Sequence, residues 1–320
     1  MDSERTLPIS YIAEMACAME MLSPKPGNVS PGRPFKYLNE MTFIASASAI
    51  ADAFADPGVT VGKLVERAVE RTKRLTDRNT NLGIILLLAP LVRAARDVTA
   101  KKLTKLAETP GSRGEGICPR ELRESLSSVL AGLDGGDASL IYAAIRSASP
   151  EGLDRSEKYD VMDFDDEGAP PILEAMRFAS PRDSVAREYA TGYEITFGLT
   201  APKLAALWNE GRDLRASIAQ TFLYLMSEIP DTLIARKMGR KASEDAAISA
   251  GLALDLGGCF TGEGRRAVRR LRRMLEDPDN LMNPGTTADL LAAGLFVFLA
   301  SELERTPLSA ILARWDRKKG

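Results

Sequence analysis

Helical periodicity, cut at short intervals by proline and glycine, runs through almost the whole of this 320-residue chain. Apolar residues recur at three- and four-residue steps, which places them along one side of successive helices. No run alternates strictly between apolar and polar, and β-hairpin turns flanked by such runs are missing. The pattern predicts an all-α fold: one large multi-helix domain over residues 1–320, with central buried helices. Residues 150–171 are the candidate break or lid.

The expected helices are Ile9–Leu22, a stretch capped by Asn39 or Thr42 and reaching Ala55, Val61–Leu75, Asn81–Asp97, Pro119–Leu133 and Asp137–Ser149. Arg182–Leu199, Leu214–Ile229, Ser243–Leu256, Arg265–Leu275, Thr286–Glu304 and Leu308–Trp315 complete the set. Pro90 should kink the fourth helix or end its first half, because proline has no N–H to donate. Residues 101–119, with Gly111, Gly114 and Gly116, read as an exposed loop. Residues 151–171 carry Asp160, Asp163, Asp165, Asp166 and Glu167 and read as a surface loop, a lid or a metal-binding stretch. The basic run from Arg265 to Arg273 reads as a solvated helix face.

Composition removes several chemistries. Lys plus Arg number 42 against 44 Asp plus Glu, a balance that argues against bulk nucleic-acid binding. Histidine is absent, so Ser-His-Asp and Cys-His catalysis are excluded. Acid–base work falls to Asp, Glu, Lys, Tyr or Cys. Cys17, Cys118 and Cys259 form no CxxC pair, which disfavours a zinc knuckle and fits a reducing cytoplasm. The apolar runs Gly83–Val92 and Leu290–Ala300 are about half the length a membrane span needs and read as buried helices. Leu290–Ala300 could pack internally or across the two-fold axis of a homodimer.

Three segments stand apart. Ser23-Pro24-Lys25-Pro26-Gly27-Asn28 is a stiff loop in which two prolines hold one cation. Asn79-Thr80-Asn81-Leu82-Gly83 opens one apolar helix, and Asn283-Pro284-Gly285-Thr286-Thr287-Ala288-Asp289 opens the other. Asn, Thr and Gly at helix starts suit anions such as phosphate. Plain N-capping explains either helix start alone; two of them suggest a shared pocket. Asp231 follows Pro230, with Arg236 and Lys237 within two turns. Near a nucleotide Asp231 could hold Mg²⁺ with Arg236 on phosphate; a simple ion pair or helix cap is the alternative. Asp289, in the first turn of its helix, complements the helix dipole.

In this order, Glu20 with Ser23–Gly27, then Asn79-Thr80-x-x-Gly83, then Asp231-Thr232 with Arg236, then Gly285-x-x-Ala288-Asp289-Leu290-Leu291, the segments resemble the triphosphoribosyl-dephospho-CoA synthase family. The resemblance runs from about residue 10 to residue 300. It implies an all-helical transferase with ATP as substrate, in which a ribose hydroxyl of dephospho-CoA displaces adenine and the triphosphate is retained. Three departures bear on the substrate. Asn81 and Leu82 stand where the family has His-Lys, Arg236-Lys237-Met238-Gly239 stands where it has Arg-Gly-Gly, and Asn28-Val29-Ser30 replaces Leu-Val-Asp.

The resemblance implies that Lys25, Arg236 and Lys237, with Mg²⁺ on Asp231 or Asp289, hold the triphosphate. Glu20, Asp231 or Asp289 would serve the ribosyl cation or the attacking hydroxyl. Gly27, Asn28, Asn79, Thr80, Asn81, Gly83, Asn283, Gly285 and Thr286 would line the nucleotide. The departures raise two other expectations: biosynthesis of a one-carbon carrier such as tetrahydromethanopterin or methanofuran through the same pocket, or a non-catalytic nucleotide-binding homologue.

Overall fold

The computed structural model describes residues 7–34, 39–76, 80–108, 117–149, 158–160, 163–164 and 169–315. These residues form fifteen α-helices and one π-helical turn, and no strand lies among them. In chain order the helices are α1 (Ile9–Leu22), α2 (Glu40–Ala53), α3 (Val61–Lys73), α4 (Leu82–Glu108), α5 (Pro119–Ala131), α6 (Gly135–Ala148), α7 (Ile172–Ala179) and α8 (Ser184–Thr191). After the π turn (Thr196–Thr200) follow α9 (Ala201–Asn209), α10 (Leu214–Glu228), α11 (Thr232–Met238), α12 (Arg240–Asp255), α13 (Gly262–Leu275), α14 (Gly285–Glu302) and α15 (Leu308–Leu312).

The core is built round α14. Every residue from Thr286 to Ala300 is buried except Asp289. A helix apolar on all sides must be wrapped on all sides, and α1, α4, α9, α10, α11 and the π turn pack against it. By length and composition α14 could cross a membrane, but 78% of it is buried inside the protein. Gly294 is the point of closest approach: a Cβ there would lie 2.1 Å from Thr200 Cγ2. Only glycine lets the π turn dock on α14 at this depth.

Pro90 neither ends nor interrupts α4, which continues through residue 108. Its missing N–H orphans the Leu86 carbonyl, the acceptor one turn back. Tyr189 Oη donates to that carbonyl at 2.6 Å, and Tyr193 Oη donates to Leu87 O at 3.1 Å. A tertiary contact thus supplies what the local sequence lacks. The expected loop at 101–119 is corrected for the same helix: Lys101–Glu108 belongs to α4, consistent with the high helix propensity of Lys, Leu, Ala and Glu. Residues 109–116, which hold the three glycines, lie outside the described residues, as do Asp165, Asp166 and Glu167 of the acidic stretch.

The expected helix Arg182–Leu199 is divided. α8 stops at Gly192, φ +64°, and Tyr193 also takes a left-handed conformation at φ +60°. Buried Glu188 bridges the break: its Oε1 accepts from Ile195 N at 2.8 Å and its Oε2 from Thr196 N at 2.9 Å. Helices α7, α9 and α11 carry too few turns for a periodic signal, and α9 opens on Pro202, a residue tolerated in a first helical turn.

Two outcomes follow for stability. Tyr189→Phe leaves the Leu86 carbonyl buried without a donor, so urea denaturation should show a loss of about 1–3 kcal/mol with an unchanged m-value. Burial pushes the Glu188 carboxyl up to about 7. Its folded pKa exceeds its unfolded one, so its contribution is complete in acid and is lost as pH rises through about 7. Denaturation midpoints between pH 4.5 and 8 should fall more steeply for the wild type than for Glu188→Gln.

Candidate active site

The start of α14 is where the separate motifs meet. Asp231 is the N-cap of α11, and its carboxylate is filled by protein donors. Oδ1 accepts from Leu233 N at 2.8 Å and Ile234 N at 3.0 Å; Oδ2 accepts from Thr287 N and Thr287 Oγ1, both at 2.7 Å. One buried carboxylate therefore caps α11 and ties it to the first turn of α14. Burial raises its pKa, and the four donors oppose that rise. Beside it Thr232 Oγ1 donates to Thr286 Oγ1 at 3.2 Å and accepts from Ser184 N at 3.3 Å, which adds the start of α8.

The second motif arrives through Gly83. A Cβ on Gly83 would sit 2.1 Å from Asp289 Oδ2 and 2.4 Å from its Cγ. The glycine is there because the Asp289 carboxyl occupies that space. Thr80 Oγ1 lies 3.1 Å from Ser46 Oγ, joining the α4 start to α2. Asn81 is buried, its carbonyl accepting from Ile85 N, and Leu82 is part of the apolar core. Asn79 lies outside the described residues.

The first motif arrives through Gly27. Its φ is +73°, and a Cβ there would meet Leu275 Cβ at 2.8 Å and Pro284 Cδ at 3.0 Å. The proline-rich loop is thus pressed on the Asn283-Pro284-Gly285 loop, while Gly285 leaves room for Leu233, 2.7 Å from where its Cβ would be. Lys25 is only 2% exposed. Its ammonium lies 3.0 Å from Glu20 Oε1 and donates to Ser23 O at 3.1 Å and to Glu20 O. These three contacts match the three donors of a lysine. Burial lowers the Lys25 pKa and raises that of Glu20, each partly offset by the other. Asn28 and Lys237 are half-buried.

Asp289 differs from every carboxyl around it. Burial, then the charges of Asp231, Glu20 and Asp183, push its pKa well above the aspartate range; Arg236 opposes this. Asp231, by contrast, has no lone pair left for a metal ion. Among the described residues no group of three or more His, Cys, Asp or Glu side chains is arranged to hold one. The residues present therefore do not fit a protein-bound Mg²⁺ centred on Asp231.

Capping also uses a helix-start donor expected to face phosphate: Thr287 N is taken by Asp231. Among the buried side-chain atoms without a hydrogen-bond partner are Ser30 Oγ, Asn283 Oδ1 and Arg236 Nε. Buried polar atoms are rarely left so, and these three lie on or beside the converging segments. Sequence reasoning missed Asp183 and Ser184. Their only local signal is a Pro-Arg-Asp-Ser N-cap before α8, which resembles any helix start.

The chain matches the family model described as CitG: ATP:dephospho-CoA triphosphoribosyl transferase over residues 7–307. It is also similar to a solved chain from Archaeoglobus fulgidus provisionally described as a triphosphoribosyl-dephospho-CoA synthase. The two are 25% identical, with a TM-score of 0.58 over 81% of this chain and 98% of that one. No curated protein matches significantly.

Asp231→Ala removes the α11 cap and strands Thr287 N at once. Chemical denaturation should show a loss of about 3 kcal/mol, more than the ~1 kcal/mol of an ordinary cap. Lys25→Met, which leaves Glu20 buried without its cation, should cost about 3–5 kcal/mol by the same measurement.

Proposed function

We propose, because this chain belongs to the CitG family of ATP:dephospho-CoA triphosphoribosyl transferases, that it joins ATP to dephospho-CoA with release of adenine. The bond from C1′ of ATP to adenine N9 breaks, and a bond from C1′ to the acceptor ribose oxygen forms. The hydroxyl proton leaves the acceptor and one proton is delivered to adenine, so the protons balance and the triphosphate stays on its ribose. The transition state is an oxocarbenium ion of the kind met in glycoside hydrolysis.

The observation that carries the reading is the Asp289 carboxyl lodged against Gly83, the one residue between Thr286 and Ala300 that keeps contact with the surface. A carboxyl pushed toward its protonated form by burial and by neighbouring anions is the acid that a chain without histidine needs. Asp289 delivers the proton to adenine and, once ionised, accepts the proton of the attacking hydroxyl. Between these two transfers its negative charge faces the ribosyl cation. Arg236 holds the triphosphate, with Asn28, Lys237, Asn283 and Thr286 along the nucleotide. Thr80, Asn81 and Gly83 form the wall opened by the absence of the family's His-Lys pair.

Lys25 and Glu20 take a supporting role in this reading. The lysine spends its donors on the loop that presents Gly27 and Asn28, and Asp231 spends its acceptors on α11 and α14. Magnesium enters only as the counter-ion of ATP. The one-carbon-carrier expectation finds no support among the matches.

Incubation of the chain with ATP, magnesium chloride and dephospho-CoA should release adenine, followed by chromatography. Asp289→Asn, close in shape but unable to give or take the proton, should lower the rate by about 10²–10⁴-fold with the fold preserved by circular dichroism. Absence of adenine from the wild-type reaction would refute the proposed transfer.

A further inference from the structure

We propose that Asp183 is a positioning residue that fixes the Arg236 guanidinium for the triphosphate; this rests on the transferase reading above. The two residues are 53 positions apart, and Arg236 NH1 donates to Asp183 Oδ2 at 3.1 Å. The other oxygen of the same carboxylate, Oδ1, caps α8 by accepting from Ala186 N at 3.0 Å. The cap sets the carboxylate plane, and the carboxylate sets the guanidinium.

A second lock lies beside the first. Ser184 N donates to Thr232 Oγ1, one turn before Arg236 on α11, and Thr232 Oγ1 donates to Thr286 Oγ1 on α14. The starts of α8, α11 and α14 are therefore held at fixed distances, and Arg236 projects from this junction. Its Nε is buried and has no partner. A guanidinium has five N–H donors in a rigid fork. One side of this fork is committed to Asp183, and a buried N–H remains unspent. Arg236 is also close enough for its charge to act on Asp289.

A long arginine left to its own rotamers must be ordered each time a phosphate binds, and that ordering weakens binding. Asp183 removes most of this cost in advance. A pair that served stability alone, with each side chain about one-quarter exposed, would contribute little. The two roles are separable because asparagine caps helices as well as aspartate does. Asp183→Asn therefore keeps the α8 cap and removes only the negative charge that faces Arg236.

The full chain should be titrated calorimetrically with ATP and magnesium chloride in the absence of acceptor, then assayed for adenine release. For Asp183→Asn we expect a Kd and KM for ATP about tenfold higher, kcat at saturating ATP within about twofold, and an unchanged unfolding midpoint. Asp183→Glu should restore part of the affinity. In Asp183→Asn/Arg236→Met the losses should be less than additive, since both remove one unit. Unchanged Kd and KM overturn the proposal. A lowered midpoint with a reduced fraction of active protein but unchanged Kd also overturns it, by assigning the pair to stability. A wild-type chain that binds ATP without releasing adenine refutes the transferase reading, while the Kd comparison still decides the role of Asp183. A wild-type chain that binds no ATP overturns both.

Discussion

The carboxylate of Asp231 holds two helix starts at once, and the arrangement of the site depends on it. Four donors from α11 and α14 converge on its two oxygens. Burying a carboxylate is costly unless its lone pairs are filled, and here all are. The reward is geometric: Thr287 is fixed relative to α11, and so is the turn that carries Asp289. From that turn the contacts spread outward, to α4 through Gly83, to α8 through Thr232 and Ser184, and to the proline-rich loop through Pro284 and Gly27. Each contact is short, and two of them require glycine because another group already fills the space of a Cβ.

This use of Asp231 changes what charge means in the site. The residues that look most like ligands in sequence, Lys25 and Asp231, are among the most buried and most fully engaged. The groups with unspent capacity are others: Arg236 Nε, Asn283 Oδ1, Ser30 Oγ and the carboxyl of Asp289. Charge crowding separates the carboxyls by role. Asp231 is held by donors as an acceptor, while Asp289 is pushed toward its neutral form by burial and then by Asp231 and Glu20. Two like groups in different surroundings can thus serve different ends. The family's His-Lys pair has no counterpart here, and Leu82 joins the core instead.

Much of the fold was legible because long amphipathic and apolar helices announce themselves. The boundaries of α1, α10 and α14 fall within two residues of those expected from periodicity. The failures have local causes. Pro90 looked like a stop because proline lacks a donor, but Tyr189 supplies one from 103 positions away. Gly192 looked like an interior helix residue because Glu188 mends the break through space. Short helices such as α7 and α11 hold too few turns for a period to show. Asp183 was invisible because its partner, Arg236, lies on another helix.

The sequence by itself determined the all-helical class, the two central helices and the chemical vocabulary of the site. Each depends on residue type and near-neighbour spacing: helical period, proline and glycine breaks, and the absence of histidine. It also carried the family, through short motifs in a fixed order. Only the tertiary structure decided which of those motif residues are spent and which are open. Pairing a lysine with a glutamate, filling an aspartate with four donors and placing a carboxyl where a Cβ would be are contacts between distant segments. Their energies depend on burial and approach, which spacing along a chain does not specify.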